Sequence, residues 1–247
     1  MRRRTCHDAA RRAPGHRAEG LAGAAPRDYH SGAVRFVYLH GFASSPASAK
    51  AVLFRERLAA LGADLEVPDQ NQPDFRGLTV SRSLGLLEAR IPEGETGVVF
   101  GSSFGGYVAA LFATRHPERV AALVLMAPAV NLARLLRDRY GDAALEAWRR
   151  DGEVAVDHHA WGRQATLAYD FQADAERWAK VPVDLGCPTL IVHGVHDAEV
   201  PPAGSERLAR GRPNVELVRL DSDHSLEDVT ERVWSAAAAL VTPLLQR

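Results

Sequence analysis

Gly97-Val98-Val99-Phe100-Gly101-Ser102-Ser103-Phe104-Gly105 joins a short apolar run to a serine between glycines, and a stretch with helical spacing follows. This order predicts a strand, a sharp turn and a helix. Such a turn holds its serine in a strained conformation with the hydroxyl above the sheet, and a larger residue at Gly101 or Gly105 should clash. We therefore interpret Ser103 as a candidate nucleophile. A phosphate loop, or a glycine-rich turn before an ordinary helix, is the alternative.

A serine hydroxyl is a poor nucleophile at neutral pH, so Ser103 requires a base for its proton and a carboxylate that orients the base. Two later segments offer these groups just past predicted strands: Asp197 follows residues 188–193, and His224 follows residues 215–220. In open α/β sheets, ligands bind at this edge. The chain order of serine, acid and histidine is that of the α/β-hydrolase fold, and it differs from the orders of the unrelated serine proteases.

Each partner of the serine also has an ordinary interpretation. A histidine after a strand is often a solvated loop residue, and aspartate is favoured in turns. Three further carboxylates lie nearby. Glu199 is the main rival of Asp197 as the acid, and Asp221 is another candidate. Asp223 adjoins His224 and is expected to point away from its ring, so we favour Asp197.

A site for an oxyanion is predicted beside the serine. The predicted strand at 34–39 leads into His40-Gly41-Phe42. In this fold one donor is the N–H after the nucleophile, here Phe104, and the other comes from the loop after the third strand, here assigned to Phe42. Removing one such donor typically lowers the rate by about 100- to 1,000-fold. The alternative for His40-Gly41 is a plain strand-ending turn.

These residues resemble the α/β-hydrolase superfamily. The opening loop, Leu39-His40-Gly41-Phe42-Ala43-Ser44-Ser45-Pro46 with Ser48-Ala49-Lys50, resembles that of the small bacterial YqiA-like serine esterases. The resemblance extends from about residue 34 to the C-terminus and is loose between 129 and 186. It implies hydrolysis of a carboxylic ester by a serine triad, without metal or organic cofactor. The middle segment is longer than expected for the smallest members and leaves the substrate preference open.

Short apolar runs alternate with helical patterns through most of the chain, which predicts an α/β fold with a mainly parallel sheet and helices on both faces. The predicted strands lie at 34–39, 64–67, 97–100, 120–126, 188–193 and 215–220. The predicted helices lie at 46–61, 79–90, 104–115, 203–210 and 226–245.

The segment 131–183 breaks this alternation, because it has helical spacing and no clear strand. We expect it to form a small helical lid that roofs the pocket and controls access of water. Its larger apolar residues are expected to serve more in packing than in substrate contact; they are Leu132, Leu135, Leu136, Tyr140, Leu145, Trp148, Trp161, Leu167, Tyr169, Phe171 and Trp178.

Length and composition predict one enzyme domain at 32–247 behind a disordered basic tail at 1–31, which holds seven arginines and three acids. Hydrophobic content of 46% and charged content of 25% are ordinary, and no apolar run approaches about 20 residues, so no membrane span is expected. The formal net charge of −1 argues against a general nucleic-acid binder.

The two cysteines, Cys6 and Cys187, cannot form a disulfide framework, which favours a reduced, cytoplasmic setting. Neither has the spacing of a zinc site. Asp157-His158-His159 is not expected to bind metal, because adjacent histidines point in different directions on a helix or strand.

The leading hypothesis is a serine hydrolase that cleaves a small to medium ester or thioester through an acyl-enzyme. Its expected partner is that small-molecule substrate. The same residues also serve acyl transfer, peracid formation or carbon–carbon bond hydrolysis, because a fold does not determine a function. A non-catalytic ligand-binding module is the alternative outside enzymes.

Overall fold

The structure, a computed structural model, describes residues 34–245. The tail predicted at 1–31, with Cys6, lies outside the described residues. Within them the strands are β1 (Arg35–Leu39), β2 (Leu65–Glu66), β3 (Gly97–Ser102), β4 (Val120–Met126), β5 (Glu153–His158), β6 (Arg163–Ala168), β7 (Thr189–Gly194) and β8 (Val215–Leu220). The helices are α1 (Ala49–Ala60), α2 (Val80–Arg90), α3 (Phe104–Arg115), α4 (Leu132–Asp151), α5 (Asp170–Trp178), α6 (Ala203–Ala209) and α7 (Thr230–Val241). Three short 3₁₀ turns cover Pro117–Arg119, His159–Trp161 and Thr242–Leu244.

Six of the strands form one parallel sheet in the order β2-β1-β3-β4-β7-β8. Side chains alternate across it, so that Val37 and Leu39 of β1 pack with α2 and α3, whereas Phe36 and Tyr38 pack with α1 and α7. The central strands β3 and β4 are buried along their whole length, as a sheet covered on both faces requires. The predicted α/β fold is confirmed.

The order of the strands also determines where a site can form. The chain passes from β1 to the edge strand β2 and then returns to place β3 on the other side of β1. The carboxyl ends of β1 and β3 therefore flank the point where the strand order reverses. This point is the usual ligand crevice of an open α/β sheet. His40-Gly41-Phe42 follows the end of β1, and Ser103 follows the end of β3.

The segment 131–183, here called the insertion, differs from the helical prediction. It contains α4, which is broken at Gly141, then an antiparallel hairpin of β5 and β6, and then α5. The expectation that it lacks strands was wrong. In β5 only Val156 and His158 are fully buried, and exposed residues alternate with them. An alternation of buried and exposed residues that rests on one valine and one histidine is too short to give a clear strand signal in the sequence.

The last helix is also shorter than predicted. It begins at Thr230 rather than at residue 226, and after Val241 the chain tightens into a 3₁₀ turn. Leu226 has φ 54°, a left-handed conformation that cannot continue a helix. The residues before the helix therefore form a loop that carries His224.

Candidate active site

The turn between β3 and α3 holds Ser103 in a strained backbone conformation, with φ 51° and ψ −113°. Neighbouring backbone groups maintain this strain. The Ser103 N–H donates to the Met126 carbonyl at 2.8 Å, and the Ser103 carbonyl accepts from the Ala129 N–H at 3.0 Å and the Tyr107 N–H at 3.1 Å. A serine kept at positive φ by several bonds is typical of a functional site.

The glycines around Ser103 permit a very close approach of backbone segments. A Cβ at Gly101 would lie 2.5 Å from the Gly105 carbonyl oxygen, and a Cβ at Gly105 would meet the Leu39 and His40 carbonyl oxygens. The first turn of α3 is therefore pressed against the ends of β1 and β3. The clash expected for larger residues at both positions has this physical basis.

A matched pair of glycine substitutions tests this packing. Gly105→Ala is expected to lower the free energy of unfolding by about 1–3 kcal/mol, because the new methyl group overlaps fixed backbone oxygens. Gly85→Ala in α2 is expected to raise it by up to about 1 kcal/mol, because no atom lies within 4 Å of the new Cβ and alanine favours helix. Denaturant unfolding measures both values. Equal effects of the two substitutions would contradict the proposed packing.

The structure brings Ser103, His224 and Asp197 together at the carboxyl edge of the sheet. The Ser103 Oγ lies 3.0 Å from His224 Nε2, and His224 Nδ1 lies 2.7 Å from Asp197 Oδ2. The Asp197 side chain is fully buried, whereas 19% of the His224 side chain is exposed. The chain of bonds thus runs from a buried carboxylate to a hydroxyl near the solvent.

The Asp197 carboxylate is held by four donors. Oδ1 accepts the N–H groups of Glu199 at 3.0 Å and Val200 at 2.8 Å, and Oδ2 faces both His224 and His193. Burial alone would raise the pKa of this carboxyl, but the hydrogen bonds from His193, His224 and Val200 outweigh burial and hold the pKa well below its ordinary value. Asp197 therefore stays ionised beside Nδ1 of His224.

The three rival carboxylates have other partners. The Glu199 side chain is 60% exposed and lies 3.6 Å from Arg139. Asp221 pairs with the exposed His196 at 2.7 Å. Asp223 accepts from the N–H and the hydroxyl of Ser225, and these bonds lower the pKa of its carboxyl. Within residues 34–245, none of the three hydrogen-bonds to His224.

The loop after β1 lies directly against the serine. A Cβ at Gly41 would be 3.6 Å from the Ser103 Cβ. The N–H groups of Phe42 and Phe104 donate no hydrogen bond to another residue of 34–245. Two backbone N–H groups, one in the residue after Ser103 and one in the adjoining loop, therefore have no acceptor among the described residues.

His40 determines the conformation of this loop. Its ring is buried, Nδ1 donates to the Gly41 carbonyl at 2.9 Å, and Nε2 accepts from the Gln70 N–H at 3.1 Å. Burial lowers the pKa of His40, which keeps the ring neutral and able to accept at Nε2. His40 thus has a structural role beside the site, which is more than the plain turn of the alternative interpretation.

The insertion contacts the same loop through aromatic rings. The Phe171 ring of α5 lies 5.2 Å from that of Phe42 and 5.5 Å from that of Phe104, measured between centroids. The Ala160 N–H, at the tip of the hairpin, donates to the Ala43 carbonyl at 3.1 Å. The insertion is therefore packed against the side chains of both Phe42 and Phe104.

Two residues near the site had no assigned role in the sequence. Lys50 occurs in the opening-loop motif, and its ammonium donates to the Ser225 carbonyl beside His224. His193 lies in β7 with its ring against Asp197. The sequence signal for His193 is its spacing of four residues before Asp197, across the end of a predicted strand. A buried strand residue with that spacing is easily taken for core.

An α/β-hydrolase is the class of protein that this sheet order and the strand-turn-helix at Ser103 define. Residues 35–241 match the Uncharacterised protein family (UPF0227). The chain belongs to that family, and the predicted superfamily resemblance is confirmed.

Named relatives and solved structures agree with this class. The chain is 27% identical to the pimeloyl-[acyl-carrier protein] methyl ester esterase of Aromatoleum aromaticum, over 75% of this chain and 88% of that protein. Mouse alpha/beta hydrolase domain-containing protein 10 superposes with a TM-score of 0.71 at 22% identity, covering 85% of this chain and 90% of the mouse chain. Est1E from Butyrivibrio proteoclasticus, solved with ferulic acid bound, superposes with a TM-score of 0.69 at 20% identity, covering 90% and 93%.

Among residues 34–245, no helix is both long and apolar enough to cross a membrane. In the same part of the chain, no three histidine, cysteine, aspartate or glutamate side chains are grouped to hold a metal ion. His158 turns inward and stacks on Trp161 at 3.8 Å, whereas its neighbours Asp157 and His159 are exposed.

Proposed function

We propose that this protein is a serine hydrolase that cleaves a carboxylic ester or thioester of a small to medium acyl substrate. The observation that carries the proposal is the continuous chain of hydrogen bonds from Ser103 through His224 to Asp197, at 3.0 and 2.7 Å. The Aromatoleum relative is named as a methyl ester esterase, which supports ester hydrolysis.

In the proposed reaction, the Ser103 oxygen attacks the substrate carbonyl carbon while His224 Nε2 takes the hydroxyl proton. Asp197 holds Nδ1–H and stabilises the imidazolium that forms. The oxyanion accepts hydrogen bonds from the Phe42 and Phe104 N–H groups. His224 then protonates the leaving alcohol or thiol, which leaves an acyl group on Ser103, and a water activated by His224 releases the acid.

We also propose that the insertion is the lid of this site. Its α5 supports the rings of Phe42 and Phe104, and its hairpin bonds to the loop that carries Phe42. Movement of the insertion would therefore move an oxyanion donor as well as the roof of the pocket. Acyl length selectivity is expected to depend on this segment.

A fluorophosphonate probe and a set of substrates test the proposed function. The probe is expected to label Ser103 covalently, as located by mass spectrometry of the labelled peptide. A series of p-nitrophenyl esters and acyl thioesters of increasing acyl length then identifies the preferred substrate by kcat/KM. A folded protein that takes up no probe and hydrolyses none of the series would contradict the proposal and favour a ligand-binding module.

A further inference from the structure

His193 is the fully buried penultimate residue of β7, and each ring nitrogen has a polar partner. Nε2 lies 2.8 Å from the Val200 carbonyl oxygen and 3.1 Å from Asp197 Oδ2. Nδ1 lies 2.8 Å from the Ser205 Oγ, on α6. Both Ser205 and His193 have no exposed surface. The proposed mechanism does not use either side chain.

The partners determine which ring nitrogen carries hydrogen. A carbonyl and an ionised carboxylate only accept hydrogen bonds, so Nε2 must be protonated. The Ser205 hydroxyl can donate to Nδ1, which is the acceptor of a neutral imidazole with hydrogen on Nε2. An imidazole with hydrogen on Nε2 and a free lone pair on Nδ1 therefore satisfies all of these contacts, and the Ser205 hydroxyl completes them by donating to Nδ1.

The bonds of His193 span both ends of the turn that carries the acid. Asp197 Oδ1 accepts the Val200 N–H at 2.8 Å, while the Val200 carbonyl accepts from His193. One ring nitrogen thus contacts both the carboxylate and the backbone at the end of this turn. Asp197 Oδ2 in turn faces two imidazoles, His193 from the strand below and His224 from the next loop.

We propose that His193 is a positioning residue for Asp197, with its ring held in place by the hydrogen bond to Ser205, so that the chain of hydrogen bonds extends from Ser103 to α6 as five side chains. This inference rests on the proposed function. His193 does not touch the reacting atoms. Its N–H holds Asp197 Oδ2 in place by a hydrogen bond. That bond also offsets part of the negative charge on Oδ2, so it sets how strongly the carboxylate stabilises the imidazolium of His224.

Two amide substitutions distinguish the two ring nitrogens. His193→Gln places an amide N–H close to the position of Nε2 and keeps a donor for Asp197. His193→Asn reaches only to the position of Nδ1 and loses that donor. Both variants bury an uncharged amide in β7, so they are expected to lower the free energy of unfolding by similar amounts. Far-UV circular dichroism and thermal unfolding verify that each is folded.

The pair is expected to separate in kcat. His193→Asn should lower kcat by about 10- to 100-fold with little change in KM, because a small displacement of the acid disturbs the transition state more than substrate binding. His193→Gln should recover most of that loss. Rates are expressed per site titrated with the fluorophosphonate probe. Equal kcat values for the two variants would overturn the inference.

The pH profile provides a readout that a purely structural role would not change. Among the described residues, the titratable groups that bond to the Asp197 carboxylate are His193 and His224, since Glu199 lies against Arg139. The exposed Asp223 carboxylate also interacts with the charge of His224, and it is the same in both variants. In His193→Asn, Oδ2 loses a competing donor and its charge acts more fully on His224, which favours the imidazolium. The acid limb of kcat/KM should therefore move to higher pH in the Asn variant and stay near the wild-type position in the Gln variant. An unshifted limb in His193→Asn would count against charge sharing.

Ser205 offers a milder substitution with a matched control. Ser205→Ala is expected to lower kcat by about 3- to 10-fold, because Nδ1 of His193 loses its hydrogen-bond partner and the ring is held less firmly against Asp197. Ser83→Ala removes another fully buried helical hydroxyl, one with no hydrogen-bond partner within 34–245, and is expected to leave kcat unchanged. Equal kcat values for the two would overturn the role of Ser205.

The outcomes also separate this inference from the proposed function. If the wild-type protein takes up the probe at Ser103 and turns over esters, but His193→Asn and His193→Gln have equal kcat, only the role of His193 fails. If the wild-type protein is neither labelled nor active, the proposed function fails and the positioning role fails with it.

Discussion

Ser103→Ala is expected to lower kcat for the best ester substrate by on the order of 10⁵- to 10⁶-fold. In the proposed reaction the acyl-enzyme forms on this hydroxyl, so its removal leaves His224 and Asp197 with no nucleophile to activate. The residual rate then comes from substrate binding and the oxyanion donors alone. Steady-state kinetics at saturating substrate, with highly purified protein, measures the loss, and probe labelling should disappear in parallel.

Ser102→Ala is the matched control for this prediction. Ser102 is the adjacent residue at the end of β3, and His224 Nε2 hydrogen-bonds to the Ser103 hydroxyl and not to that of Ser102. Its removal is expected to change kcat by no more than a few-fold. Wild-type turnover in Ser103→Ala, or an equal loss in both variants, would refute the assignment of the nucleophile.

Asp197→Asn is expected to lower kcat by about 10⁴-fold, with the fold retained. The amide oxygen must take the place of Oδ1, because the Glu199 and Val200 N–H groups there only donate. The amide nitrogen then faces His193 and His224, where acceptors are needed. His224 is driven to the tautomer with hydrogen on Nε2, which cannot accept the Ser103 proton, and its imidazolium loses the negative charge that stabilises it.

Glu199→Gln is the control, because Glu199 is the acid that the sequence left as the main rival. Among residues 34–245 its side chain forms only an exposed ion pair with Arg139, and such pairs contribute about 0–1 kcal/mol. The kcat of Glu199→Gln is expected to stay within about two-fold of the wild type, since the backbone N–H that supports Asp197 is unchanged. A larger loss of kcat in Glu199→Gln than in Asp197→Asn would assign the role of the acid to Glu199 instead.

Much of the sheet could be predicted because its signal is local. The buried strands β3 and β4 are continuous apolar runs, and α3 matches its predicted range because Gly101 and Gly105 mark the turn before it. Ser103, Asp197 and His224 each follow a predicted strand, and they occur along the chain in the order serine, acid and histidine. These features need no knowledge of distant contacts, since each follows from its own short segment.

The hairpin of β5 and β6 could not be predicted in the same way. Its sequence is compatible with helix, and it is stabilised as a strand pair by contacts with the rest of the molecule. His158 stacks on Trp161 and lies 4.7 Å from the Phe75 ring, and Ala160 bonds to the loop after β1. Such contacts join residues far apart in the chain and leave no periodic pattern within one segment.

The amino-acid sequence was sufficient to predict an α/β-hydrolase with Ser103 at the turn after a central strand, because hydrophobic periodicity and glycine placement act over a few residues. The three-dimensional packing was needed to place Asp197 rather than Glu199 against His224 and to bring the His193 ring onto the same carboxylate. The physical reason is that the selection depends on burial and on hydrogen-bond geometry between separate loops. These properties arise only when β7, β8 and α6 are packed together.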